Sequence, residues 1–84
     1  MKLFLLTQSE NSGYDTYDSA VVCAVDEESA KKIHPSGHDS KWWQRPNERY
    51  SSWATSLDRV HAQYLGEALD AILPGVICAS FNAG

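Results

Sequence analysis

The apolar positions of the chain fall into short runs separated by long polar stretches. Leu3-Phe4-Leu5-Leu6, bounded by Lys2 and Thr7-Gln8, is a continuous apolar run of strand length and predicts a buried strand. Residues 19–25 form a second run. Its Val21, Val22, Cys23 and Val25 predict a strand buried on both faces. Between the two, Asn11-Ser12-Gly13 marks a loop, with Gly13 the residue suited to positive φ. The connection is long for a tight hairpin, yet antiparallel pairing is the simplest arrangement.

Asp26 then reads as a helix N-cap, followed by Glu27 and Glu28 in the first turn, where the helix dipole favours carboxylates. Lys31 and Lys32 lie near the C-terminal end, and Glu28 and Lys32 stand at i,i+4 spacing. Ala30 and Ile33 share the face expected to pack on a sheet. Pro35 restricts His34 and stops the helix, whose end His34 is placed to cap. Two turns at most, it depends on tertiary packing.

Residues 56–73 fit two patterns. Leu57, Val60, Tyr64, Ala68 and Ile72 keep helical spacing, with Pro74-Gly75 as a stop. Val60, Ala62 and Tyr64 also alternate with His61 and Gln63, and Gly66 weakens any long helix. Residues 76–81, an apolar run between Gly75 and Asn82, predict a last strand.

Residues 34–53 break every one of these patterns. The stretch contains all three tryptophans and no Val, Ile, Leu or Met. Structureless connections this long are usually functional or disordered, and three tryptophans argue against disorder. Trp42, Trp43, Tyr50 and Trp53 can stack a planar base, and Arg45 and Arg49 can hold phosphates. The competing reading makes the indoles a lid over a small core, since large rings bury much area. Both hold together if two rings are core and the third walls a pocket.

The remaining candidates have plain counterparts. Tyr14, Asp15 and Tyr17, with Thr16 and Asp18, offer a polar rim for ribose hydroxyls or a partner's arginines; the alternative is side chains bonding their own loop backbone. His34 and His38 are four apart, but Pro35 and Gly37 between them break the helix that a metal pair needs, so no metal or cofactor is expected. No nucleophile motif accompanies His34. Cys23 and Cys78 each sit in an apolar run and read as small core residues with reduced thiols.

Composition narrows the function classes. Eighty-four residues make one domain with a marginal core. A net charge of −4 repels a phosphate backbone, which excludes long nucleic acid as a general partner. Residues 34–53 alone have a positive balance, 3 basic against 2 acidic, which suits a small anion. The apolar run at the N-terminus is too short for a signal peptide or a membrane span, so a soluble protein of the cytoplasm is expected.

Several motifs lie in a recognisable order: Lys2-Leu3-Phe4-Leu5-Leu6-Thr7-Gln8, Tyr14-Asp15-Thr16-Tyr17-Asp18-Ser19, Ile33-His34-Pro35, Trp53-Ala54, Tyr64-Leu65-Gly66-Glu67-Ala68, Gly75-Val76-Ile77 and Ala79-Ser80-Phe81-Asn82-Ala83-Gly84. In these the chain resembles a set of small, mostly uncharacterised proteins of tailed bacteriophages and prophages. In proteins of this kind the segment before Leu-Gly-x-Ala is usually Val-rich and strand-like. The resemblance therefore implies a strand over 59–66 and a turn or single helical turn over 69–73. His61-Ala62 departs from that pattern and keeps the helix alternative open.

The expected architecture is α+β: a small, mostly antiparallel sheet in the order β-β-α-β-β, one short helix and a long aromatic loop. Self-association into a homo-oligomer is expected, because it covers sheet edges. The phage setting implies a location in the host cytoplasm and a counter-defence or accessory role. Two functions follow. One is a non-enzymatic protein that sequesters a nucleotide-derived small molecule, with Trp42, Trp43, Arg45, Arg49, Tyr50, Trp53, Tyr14, Asp15, Tyr17 and His34 as its site. The other is an inhibitor or accessory factor that docks on a host enzyme or defence protein, since Trp, Tyr and Arg are also interface hot-spot residues.

Overall fold

A computed structural model describes residues 1–37, 41–44 and 52–82. Its strands are β1 (Lys2–Thr7), β2 (Thr16–Ala24), β3 (His61–Glu67) and β4 (Gly75–Asn82), with helix α1 (Glu27–Lys31) between β2 and β3. The order of elements is β-β-α-β-β, and the sheet is fully antiparallel, with strand order β3-β1-β2-β4. The first two strands thus form the centre, and the two later strands flank them.

Residues 61–67 are strand, so the helical alternative over 56–73 is excluded. A 3₁₀ turn, Leu57–Arg59, leads into β3, and the 69–73 segment is a turn closed by Ile72 N–H donating to the Leu69 carbonyl. The apolar spacing that imitated a helix comes from residues of three different local structures. Gly66 has φ of +152°, a backbone setting that L side chains rarely adopt. It sits at the irregularity where Leu3 opposes Gly66 and Phe4 opposes Tyr64, leaving Leu65 as the extra residue.

The hairpin also differs in detail from expectation. β2 starts at Thr16, three residues earlier than the apolar run. Positive φ falls on Asp15 (58°) and not on Gly13. Aspartate is among the few residues that visit this region readily, because its short polar side chain can bond locally.

The register separates the sheet into two faces. Phe4, Leu6, Ala20, Val22 and Ala24 point to one, together with Ala62 and Val76 from the edge strands. α1 packs here through Ala30, and Trp42, Trp53, Ala54 and Val60 complete the core. The sheet and helix contribute small alanines to the core, leaving room for large rings. Trp53, with 0% exposure, is the largest fully buried side chain.

Leu3, Leu5, Val21 and Cys23 point to the other face, with Cys78 beside Val21 on β4. No described helix or 3₁₀ turn covers it. Cys23 is sealed, but Leu3, Leu5 and Val21 are only half-buried and Cys78 is exposed. The expectation that β2 is buried on both faces and that both cysteines are core residues is therefore corrected. A helix and a lid suffice for one side of the sheet only. The two thiols are free.

Candidate functional site

Asp26 caps α1 as its sequence position requires. Its backbone is extended, and its carboxylate accepts a 2.7 Å hydrogen bond from the Ser29 N–H. That bond holds the Asp26 carboxyl below the ordinary range. Lys32 ends the helix, 4.0 Å from Glu28. The Lys32 carbonyl then accepts from Trp42 Nε1 at 3.0 Å, which ties the 3₁₀ turn Trp42–Gln44 to the helix end. His34 lies beyond the helix C-cap, which is Lys32. Its Nδ1 accepts from the Ser36 N–H at 3.1 Å and lies 2.9 Å from the Ser36 hydroxyl, so it organises the turn after Pro35.

A row of rings runs across this end of the covered face. Phe81 and Tyr17 lie 4.7 Å apart, Tyr17 and His34 6.0 Å in edge geometry, and His34 and Trp42 again 6.0 Å. Trp42 and Trp53 are core rings with little or no exposed area. The lid reading describes these two, and neither offers a face to a ligand. Trp43 is different. It stays half-buried, with the Lys32 ammonium 5.2 Å from its ring centroid. Its indole N–H is turned inward and meets no acceptor among the described residues.

The other predicted site residues divide. Tyr17 belongs to the ring row, half-buried. Tyr14 is 80% exposed and stands apart from the rings. Asp15 is exposed, and its N–H donates to the Asn82 carbonyl. Thr16 Oγ1 donates to the Gly13 carbonyl at 2.6 Å, and the Asp18 carboxylate accepts from Asn82 Nδ2 at 2.8 Å. The polar side chains around Tyr14 thus serve the loop and its junction with β4. Arg45, Arg49 and Tyr50 lie outside the described residues, as do His38 and Asp39. Among the described residues no group of three His, Cys, Asp or Glu is placed to hold a metal ion. No described helix is long and apolar enough to cross a membrane.

What anchors the site was not visible in the sequence. Gln8, buried at the end of β1, donates from Nε2 to the carbonyls of Asn11 (2.7 Å) and Tyr17 (2.9 Å). Its Oε1 accepts from the N–H groups of Glu10 and Asn11. One amide side chain therefore folds the loop back onto β2. Asn11 Nδ2 reaches the Trp53 carbonyl at 2.7 Å, and Tyr17 N–H donates to the Ser52 carbonyl at 2.8 Å. The Glu10 carboxylate accepts from both the N–H and the hydroxyl of Thr55 at 2.7 Å. Arg59 lies 3.9 Å from Glu10. The Thr55 hydroxyl, then the Thr55 N–H, and more weakly Arg59 hold the Glu10 carboxyl below its usual range. A recess of about 340 Å³ beside this tether is lined by Ser9, Glu10, Asp58, Arg59 and His61, none of them a predicted site residue. The Asn11–Trp53 and Glu10–Thr55 tethers join residues far apart in sequence through ordinary polar side chains, which no local pattern marks.

Comparison of the chain with family models, curated proteins and solved structures returns no match.

Proposed function

We propose that the protein is a non-enzymatic counter-defence or accessory factor of a phage or prophage, which binds and sequesters a nucleotide-derived small molecule in the host cytoplasm. The observation that carries this reading is Trp43. Two indoles are used up as core, while the third is only half-buried, with a lysine ammonium 5.2 Å from its ring centroid and a buried N–H lacking an acceptor among the described residues. A stacked base adds roughly 1–3 kcal/mol. Arg45 and Arg49, close in sequence, supply the phosphate-binding forks of this proposal.

Isothermal titration against cyclic dinucleotides and ADP-ribose-type nucleotides tests it. The expected result is heat with at least one member, and a loss of about tenfold or more in affinity for Trp43→Ala. No heat and no thermal shift with any member would overturn it.

A second reading, docking on a host enzyme or defence protein, is favoured by Tyr14. It projects 80% exposed beside Asp15, with the acidic Asp18 nearby in the chain. Affinity capture from host lysate separates the two. A stoichiometric protein released by Tyr14→Ala supports docking, whereas a co-purified ultraviolet-absorbing small molecule supports sequestration.

A further inference from the structure

Four apolar side chains stand in water at one end of the sheet. β1 begins after Met1 and β2 ends before Val25, and the pairing of Lys2 with Ala24 sets those two residues side by side. On the other side of β1, the Ala68 N–H donates to the Met1 carbonyl at 2.9 Å, so the loop after β3 starts at the same end. Residues 68–74 then join the two edge strands there. Met1 and Val25 are 47% and 62% exposed, and Leu69 and Leu73 are 78% and 79% exposed. A single exposed apolar side chain is ordinary, but four gathered at one end of so small a domain mark an interaction surface. The two leucines are held as a pair, because the turn between them is closed by the Ile72 N–H on the Leu69 carbonyl.

Carboxylates border these side chains. Asp26 and Glu27 follow Val25, Glu67 stands two residues before Leu69, and Asp70 lies between the leucines; all four are exposed. Lys2 and the Met1 amino group are the cations of the same strand ends, so four carboxylates face two cations. We infer that this end of the sheet docks on a protein that presents apolar side chains within a rim of lysine and arginine. Charge selects that partner. A second copy brings the same acidic excess to the contact, and like charges set against one another weaken it. An anionic membrane surface and a nucleic-acid backbone are repelled for the same reason. A basic protein surface gains on both counts. Its apolar side chains cover Leu69 and Leu73, and its cations meet the carboxylates beside them. Tyr14 precedes β2 and so lies at the opposite end of the sheet. The two surfaces are separate, and docking here is independent of the ligand reading.

Fluorescence anisotropy of a labelled synthetic peptide tests it. The peptide is built of leucine and lysine alone, with the leucines on one helical face, and a second peptide has glutamate in place of lysine. The expected result is saturable binding of the lysine peptide, weaker by about tenfold or more for the glutamate peptide. Leu69→Asn combined with Leu73→Asn keeps the charge and, at positions this exposed, the far-ultraviolet circular dichroism. It is expected to lower affinity for the lysine peptide by about tenfold or more. Asp70→Asn is expected to lower it by a smaller factor and to flatten its dependence on salt. No saturable binding of the lysine peptide overturns the inference. So does equal affinity for the two peptides, or binding that survives the double leucine change, as charge attraction alone would give. Sedimentation velocity supplies the last arm: a pair of chains that the double change dissolves puts a second copy on this end and overturns it as well. The nucleotide titration is a separate measurement, so either reading can fail alone.

Discussion

The two faces of the sheet are supplied by neighbouring residues of the same strands and end in different states. Leu6 points under the lid and is fully buried; Leu5, one residue earlier, points away and is half-buried. Phe4 and Val22 are sealed, while Leu3 and Val21 are not. The difference lies in what the chain can lay over each side. A helix of five residues and an indole-rich segment cover one face. The other keeps Leu3, Leu5 and Val21 half-buried and Cys78 exposed, although Cys23 on it is sealed. The lesson is that an apolar residue in a small sheet reports where cover is needed, and not that the same chain provides it.

The sharpest way to break this contrast is to empty the covered side. Trp53→Ala is expected to cost about 3–5 kcal/mol, near the whole stability of a small domain, and to leave little folded protein in a urea titration monitored by circular dichroism. Next is the matched pair Leu6→Ala and Leu5→Ala. Leu6→Ala should cost about 2–5 kcal/mol at any protein concentration. Leu5→Ala should cost less, because Leu5 is only half-buried. Equal losses would show that the faces are equivalent.

The smallest effect concerns the tether between the hairpin loop and the segment before β3. The folded-state value of Glu10 is lowered, so its contribution is present above the unfolded value and disappears as pH falls through the lowered one. Glu10→Gln should therefore lower stability modestly at neutral pH and flatten the loss seen on acidification below the ordinary carboxyl range. Thermal melts across that range give the comparison. An unchanged acid limb would show that the Thr55 contacts contribute nothing.

The strands and helix were legible because each rests on local chemistry. Lys2–Thr7 is a bare apolar run, and Asp26 with Glu27 and Glu28 is a helix start. The lid was legible only as a pair of readings, because indoles serve cores and pockets equally well. Separating Trp53 from Trp43 took their surroundings. Gln8, Glu10 and Asn11 were not legible, since their partners at Tyr17, Thr55 and Trp53 are set by the fold. The single covered face was missed for a related reason. Val21-Val22-Cys23 reads alike whether its second side meets the same chain or another molecule.

Strand order carries a consequence for synthesis. The central hairpin and the helix are complete by residue 31, whereas the flanking strands arrive only with residues 61–67 and 75–82. On the ribosome the nascent ribbon thus waits with both borders raw, and each raw border is a template for a stray strand. A stop codon placed soon after the helix should release an insoluble fragment, although that fragment already contains the middle of the finished sheet.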